Sequence, residues 1–191
     1  MGGDLGAGAG QVHAKAREVL DFWFGLPPAK HYAKDAALDR EIAERFADWV
    51  ENVAASDATH CWGDPDTLLG ALIAVDQFSR NIHRGSAAAF ANDDLAQWLS
   101  LHAIGQGWDE RYPLDRRAFL YLPLMHAENR GLQALGVGKF EQLGNQENLG
   151  FALAHRDAIM RFGRFPGRNA ALGRSSTPEE TQWLKENDGG W

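Results

Sequence analysis

The stretch LLGALIAVDQFSRN (Leu68–Asn81) decides the fold class, because its apolar residues recur at spacings of three and four. This spacing predicts a helix whose apolar stripe faces the core. Asp76 lies three residues after Ile73 and continues that stripe, and Arg80 follows one helical turn later. An aspartate on the buried face of a helix needs a cationic partner, so Asp76 indicates a polar site inside an apolar protein.

Two later stretches also place ionisable side chains among apolar neighbours. In FLYLPLMHAENRGLQAL (119–135), Glu128 lies four residues from a leucine on either side, and in FALAHRDAIMRF (151–162), His155 shares a stripe with apolar residues. These spacings put both side chains on core-facing stripes. Since a buried charge is costly unless it is paired, the sequence predicts that Asp76, Glu128 and His155 share one polar site.

His126 is close to Glu128 in the chain but not on the same predicted face. If the whole stretch is one helix, the two side chains point about 160° apart around its axis. We therefore expect that His126 and Glu128 do not act as a simple pair. We also expect the buried imidazole of His155 to have a hydrogen-bond partner.

The apolar spacing is helical throughout, and no alternating pattern long enough for a strand occurs. The sequence predicts an all-α fold of about seven helices, antiparallel where the loops are short. Asp64 and a following proline cap the third helix, and Ser86 caps the fourth. The fifth helix runs from Asp115 to about Leu135, with a kink or a restart at Pro123.

The two ends of the chain carry their own signals. Residues 1–11 are glycine-rich and predict a disordered tail, followed by a single domain over residues 12–191 whose first helix starts at Val12. Near the other end, residues 177–180 (TPEE) form a capping box with proline at the first helical position. This motif predicts a last helix that begins there.

Composition argues against several kinds of partner. The net charge of −7 and the pI near 5.4 disfavour a nucleic-acid surface. No apolar run approaches the roughly 20 residues of a membrane helix. The single cysteine, Cys61, fits a reducing compartment and is interpreted as a small buried hydrophobe. We therefore expect a cytoplasmic protein that binds neither nucleic acid nor membrane, while its cofactor and its oligomeric state stay unknown.

Arginines cluster near these carboxylates in the chain, and two interpretations of them stay open. They are Arg80, Arg84, Arg161, Arg164, Arg168 and Arg174. In the structural interpretation, some of them neutralise Asp76 and Glu128 and hold a loop in place. In the functional interpretation, the arginines exceed what the carboxylates need, and the spare guanidiniums line a pocket for a carboxylate or phosphate.

A metal site is a third interpretation of the same side chains. Asp76, Glu128 and His155, with His126 as a further ligand, are residue types that suit a borderline divalent ion. The neighbouring arginines oppose a cation, and no HExxH or ExxH spacing is present. We therefore predict no metal site.

Four ordered motifs resemble a known bacterial family. They are WFG (23–25), DQFSRNIHRGSAAAFANDDLA (76–96), FLYLPLMHAEN (119–129) and HRDAIMRFGRFPGRNAALGRSSTPEE (155–180). Together they resemble the family catalogued as Domain of Unknown Function 924, over almost the whole chain beyond the tail. The resemblance implies an all-helical fold of the tetratricopeptide-like superfamily. It implies no activity, cofactor or catalytic residue.

The sequence predicts a concave polar site that binds a small anionic molecule or a peptide carboxylate. Its predicted residues are Asp76, Arg80, Arg84, His126, Glu128, His155, Arg164 and Arg168. A second hypothesis is an enzyme, hydrolase-like or other, in which His155 or Glu128 is the general base and the arginines stabilise an oxyanion. A raised pKa of Glu128 would suit that role. A third is a protein-interaction scaffold, which requires an exposed apolar groove.

Overall fold

The computed structural model describes residues 5–56 and 63–190, with side chains from residue 10 onwards. Within these ranges the regular structure is helical, which confirms the all-α prediction. Cys61 and the first four residues of the predicted tail lie outside the described residues. None of the helices in the described ranges is long and apolar enough to cross a membrane.

A central helix of three consecutive parts organises the fold. The parts are α3 (Pro65–Ile73), a π-helical segment (Ala74–Phe78) and α4 (Ser79–Ile82), and we call them together the central rod. The other helices are α1 (Leu5–Gly25), α2 (Ala36–Ala55), α5 (Asp93–Gly105), α6 (Leu114–Met125), α7 (Arg130–Leu143), α8 (Gln146–Phe162) and α9 (Pro178–Glu186). With the central rod counted once, the described ranges contain eight helices, close to the seven predicted.

Polar side chains begin many of these helices. Each accepts a hydrogen bond from a backbone N–H of the first turn, and they are Asp35, Asp64, Asn129, Asn145 and Thr177. The predicted cap at Asp64 and the predicted capping box at Thr177 are therefore confirmed. Such caps satisfy donors that the helix itself leaves unpaired.

The predicted fifth helix is two helices: the chain restarts, which was one of the two predicted alternatives, but it does not restart at Pro123. α6 ends at Met125, and α7 begins at Arg130 after the extended residue Asn129, whose side chain caps it. The restart at Arg130 therefore comes seven residues after Pro123, which lies inside α6. Glu128 consequently lies in the α6–α7 turn rather than on a helix face, and the helical angle predicted between it and His126 does not apply.

Two other predicted boundaries also differ from the structure. α1 begins at Leu5, before the Val12 start that apolar spacing indicated, because the alanine and glycine residues that precede Val12 offer no apolar stripe for that spacing to detect. Ser86 precedes a short 3-10 turn, Ala87–Phe90, and its side chain makes no capping bond; α5 begins only at Asp93. The single-domain prediction and the tetratricopeptide-like relation stay predictions.

The central rod is buried along its whole apolar length. All residues from Thr67 to Phe78 are buried. α1 packs on α3, α2 packs on the π segment and α4, α5 contacts α3 and the π segment, and α6 contacts α3. The Phe78 ring lies 4.9 Å from Phe46 and 5.5 Å from Trp23, measured between centroids. α7 packs between α6 and α8. The charged residue Asp76 is thus held at the centre of the molecule.

We expect Gly70→Ala to destabilise the protein by about 1–3 kcal/mol, since it overpacks a well-filled contact. A Cβ at Gly70 would lie 2.8 Å from the carbonyl oxygen of Ala16 and 2.9 Å from its Cα, so α1 and α3 would have to separate. The measurement is urea unfolding. The control is Gly138→Ala in α7, where a Cβ meets no atom within 4 Å. This change should stabilise the helix by about 0.5–1 kcal/mol. Equal midpoints for the two variants would contradict the prediction.

Candidate functional site

A cavity of about 700 Å³ opens beside the π segment. Its lining comes from the α1–α2 connection, the central rod and the loop after it, α6, α8, and the loop after α8. Gln77, His155 and Arg168 are buried, whereas Tyr32 and Phe151 are exposed and flank the opening. The cavity therefore has a floor that includes polar groups and an opening between aromatic side chains.

Asp76 lies directly behind this floor, on the π segment. The segment inserts one extra residue into the helix, so the N–H of Ser79 donates to the carbonyl of Ala74, five residues earlier. Single-turn π segments often occur at functional sites. Asp76 is 0 % exposed, and three side chains donate to its carboxylate or pair with it. They are His126 through Nδ1 (2.8 Å), Gln77 through Nε2 (2.5 Å) and Arg80 through Nη1 (3.2 Å).

These donors keep Asp76 ionised. Burial alone would raise the pKa of Asp76, but the neighbouring His126 and Arg80 and the hydrogen bond from Gln77 together hold that pKa well below its usual range. Asp76 is therefore a carboxylate at neutral pH. A buried carboxylate is stable only while its partners stay in place.

His126 and Asp76 form a carboxylate–imidazole pair. Since the Asp76 carboxylate only accepts, His126 Nδ1 carries the proton and donates it to Oδ1. Burial and the charge of Arg80 lower the pKa of His126 against the opposing effect of Asp76, so the ring is neutral and Nε2 holds a lone pair. His126 lines the cavity, and within the described ranges no protein group bonds to Nε2.

His155 is a second neutral imidazole in the cavity lining. Its Nδ1 donates to the carbonyl of Phe151 at 2.8 Å, which confirms that this buried ring has a hydrogen-bond partner. Its ring centroid lies 6.4 Å from that of His126. Burial, with the nearby His126 and Arg168, lowers the pKa of His155 to about 3.

Arg80 and Arg168 meet at one carboxylate that the sequence analysis did not single out. Asp93, from the first turn of α5, pairs with Arg80 Nη2 and with Arg168 Nη1, each at 2.9 Å. Arg168 also donates to the carbonyl of His126 at 2.9 Å. Its guanidinium lies 4.7 Å from the ring centre of Phe90 and 4.5 Å from that of Phe165. Burial lowers the pKa of Arg168 to about 10, so the side chain stays protonated at neutral pH.

The predicted surplus of guanidiniums is not found within the described ranges. Each of the six arginines has a carboxylate partner: Arg80 with Asp76 and Asp93, Arg84 with Asp39, Arg161 with Glu179, Arg164 with Glu180, Arg168 with Asp93, and Arg174 with Glu128. The sequence argument counted too few carboxylates, because Asp39 on α2 and Asp93 on α5 are far in the chain from Arg84 and Arg168, which they pair with.

Glu128 lies outside the cavity lining and holds a loop. Its carboxylate accepts from the N–H of Phe165 at 2.7 Å and from Arg174 at 2.6 and 2.8 Å. Burial alone would raise the pKa of Glu128, but Arg174 and the Phe165 N–H lower it. The raised pKa that would suit a general base is therefore not found. Arg164 pairs with Glu180 at the start of α9 and also lies outside the lining.

The structure thus gathers part of the predicted set. Five of its residues line the cavity, namely Arg80, Arg84, His126, His155 and Arg168, and Asp76 lies behind them. Sequence reasoning missed Gln77, Phe90 and Asp93. Gln77 adjoins Asp76 in the chain and lies on the same π segment, but helical spacing gave no reason to place it in the cavity lining. In the described ranges, no three His, Cys, Asp or Glu side chains are grouped to hold a metal ion.

Sequence and structure comparisons place the chain in a family. Residues 19–188 match the family described as "Bacterial protein of unknown function (DUF924)", and the chain belongs to that family. The solved structure of the protein of unknown function ATU0120 from Agrobacterium tumefaciens is similar over 91% of this chain and 98% of that one. The two share 38% sequence identity, with a TM-score of 0.87. Among curated proteins, no match was found.

We expect the free energy of unfolding to fall as the pH drops below about 6.5, the ordinary pKa of histidine. The unfolded chain then takes up a proton that His155, with its pKa of about 3, does not bind in the native state. Between pH 6.5 and 5 this one group removes on the order of 2 kcal/mol. His155→Asn retains a donor for the carbonyl of Phe151 but does not titrate. The free energy of unfolding of this variant, measured with urea, should therefore fall less than that of the wild type as the pH drops. Parallel plots of unfolding free energy against pH for the two proteins would contradict this account.

We expect Glu128→Gln to lower the free energy of unfolding by about 1–3 kcal/mol, because it weakens charge-assisted bonds that hold the Phe165 loop. Any ligand affinity measured at the cavity should stay unchanged, since Glu128 does not line it. Chemical denaturation and a binding titration on the same preparation measure the two effects. A variant of normal stability that has lost ligand binding would show that Glu128 belongs to the binding site.

Proposed function

We propose that this protein binds a small organic anion, a carboxylate or phosphate carried on an apolar body, in the cavity beside the π segment. One observation carries the proposal. Three arginines line the cavity, namely Arg80, Arg84 and Arg168, whereas the carboxylates that pair with them, Asp39, Asp76 and Asp93, do not. The cationic groups therefore line the cavity, while their counter-charges lie outside the lining.

Pairing also fixes these arginines in place. Each guanidinium is held by a carboxylate, so an incoming anion does not have to order a mobile side chain, and this lowers the entropic cost of binding. The same pairing reduces the positive electrostatic potential in the cavity. A ligand with one singly or doubly charged head group is therefore favoured over a polyanion. Glu147 is the carboxylate among the described lining residues; it lies at the exposed side, where it does not oppose an anion at the floor.

The size and walls of the cavity support a ligand with an apolar body. About 700 Å³ falls within the range of small-molecule sites. Apolar and aromatic side chains complete the walls, among them Tyr32, Phe90, Leu122, Met125 and Phe151. The carboxylate of a peptide is a second ligand that the same groups of the cavity would bind. A protein-interaction scaffold is less well supported, since it requires an apolar groove and this floor is charged.

The test compares hexanoate and hexyl phosphate with hexanol by isothermal titration calorimetry. We expect the two anions to bind and hexanol to bind at least tenfold more weakly, because it lacks a charge for the arginines. Phe151→Ala should weaken anion binding about tenfold, as expected for the loss of one aromatic wall.

Met160→Ala is the matched control for that variant. Met160 lies on the same helix and is as exposed as Phe151, 53 % against 50 %, but it does not line the cavity. The Met160 variant should bind as the wild type does. Equal binding of hexanol and hexanoate, or no binding of either anion, would overturn the proposal.

A further inference from the structure

We propose that His126 and Asp76 form a general-base dyad that hydrolyses a carboxylic ester of an apolar acid in this cavity. The inference rests on the proposed function, since the acid released is the kind of anion that the cavity is proposed to bind. It also moves the base from His155 and Glu128, which the sequence favoured, to a residue at the end of α6.

The geometry of the pair carries the inference. Asp76 Oδ1 lies 2.8 Å from His126 Nδ1 and is wholly buried behind the imidazole. This contact fixes the tautomer, so the lone pair is on Nε2 of a ring that lines the cavity. An orienting carboxylate on one nitrogen and an available lone pair on the other is the arrangement that general-base catalysis by histidine requires. The carboxylate also stabilises the imidazolium when it forms.

The attacking group is water. Among the described lining residues there is no serine, threonine, cysteine or lysine that could form an acyl-enzyme. Nε2 accepts a proton from water while the water oxygen forms a bond to the ester carbonyl carbon, and the carbonyl electron pair moves onto oxygen. When that pair returns, the bond to the alkoxide breaks and the imidazolium gives its proton to the departing oxygen. The products are a carboxylic acid and an alcohol, and no other reactant is needed.

Arg80 supplies the positive charge for the tetrahedral intermediate. Its Nη1 lies 3.2 Å from the same Asp76 oxygen that His126 contacts, so the guanidinium and the imidazole are neighbours in the lining. A fixed cation next to the developing oxyanion stabilises it more than it stabilises the neutral ester. The lining thus holds a base and a cationic group within reach of one small substrate.

His126 is unprotonated at neutral pH, as a general base has to be. Four charged or titratable groups surround His126: Asp76 and Arg80 from the central rod, His155 from α8 and Arg168 from the loop after α8. Asp93, from α5, pairs with both arginines. Burial and the arginines keep its pKa below the usual histidine value against the effect of Asp76. The rate should therefore be independent of pH between 7 and 8 and fall in acid. Hydroxide-driven hydrolysis would instead rise about tenfold per pH unit.

The test follows p-nitrophenyl hexanoate and the less activated phenyl hexanoate with purified full-length protein. His126→Asn keeps a donor toward Asp76 but has no Nε2, and it should lower kcat about 100-fold. Asp76 is a positioning residue. In Asp76→Asn the acid limb of the pH–rate profile should shift to lower pH, because the imidazole loses its anionic neighbour, and kcat should fall with KM little changed. Met160→Ala should hydrolyse both esters at the wild-type rate.

The outcomes separate the two proposals. Wild-type turnover with a flat profile from pH 7 to 8, lost in a folded His126→Asn variant, supports the dyad. If that variant does not fold, the wild-type profile decides, since a rate that rises steadily with hydroxide overturns the dyad. Equal rates in wild type and His126→Asn also overturn it, while hexanoate binding that persists leaves the proposed function standing. Failure of hexanoate to bind overturns the proposed function and this inference together.

Discussion

The rest of the structure depends on one buried carboxylate. Asp76 is ionised at the centre of an apolar helix, where an uncompensated charge would cost several kcal/mol (on the order of 3–5 when one partner of a buried pair is removed). The chain provides donors from two directions, with Gln77 and Arg80 on the central rod and His126 at the end of α6. Their arrangement fixes the position of α6 relative to the rod, so a local electrostatic requirement becomes a constraint on the tertiary fold.

The hydrogen bonds and ion pairs around Asp76 continue into a network of polar contacts that forms the floor of the cavity. Arg80 also reaches Asp93 on α5, and Asp93 in turn holds Arg168, which lies against two phenylalanine rings and donates to the backbone of His126. Every link is charge-assisted or aromatic and is partly or fully buried, so the groups of the floor hold one another in place. Structural and functional interpretations of the arginines therefore do not exclude each other: the ion pairs hold the loop after α8 and also set out the groups that face the cavity.

Helical spacing predicted much of this arrangement and failed where the chain leaves regular geometry. The helical period predicts the apolar stripe ending in Asp76 and the buried ring of His155, and the structure contains both. The side chains at the helix starts predict the caps at Asp64 and Thr177, which the structure also contains. Glu128 was misplaced because α6 ends at Met125 and a side-chain cap at Asn129 starts α7, a boundary that apolar spacing does not reveal. The π segment was missed for a related reason, since one inserted residue changes which side chains share a face while the apolar run stays continuous.

By itself the sequence determined that the protein is helical, that its core is apolar, and that a few ionisable side chains must find partners inside it. These conclusions depend on interactions between residues three or four positions apart, which any reader of the chain can count. Only the tertiary structure decided which partners meet. Asp76 pairs with His126, which is fifty residues away in the chain, and Arg168 pairs with Asp93, which is seventy-five residues away. Helical spacing carries no information about residues so far apart in the chain. The cavity exists because those long-range pairs close around it, and its chemistry was therefore decided by packing rather than by any single motif.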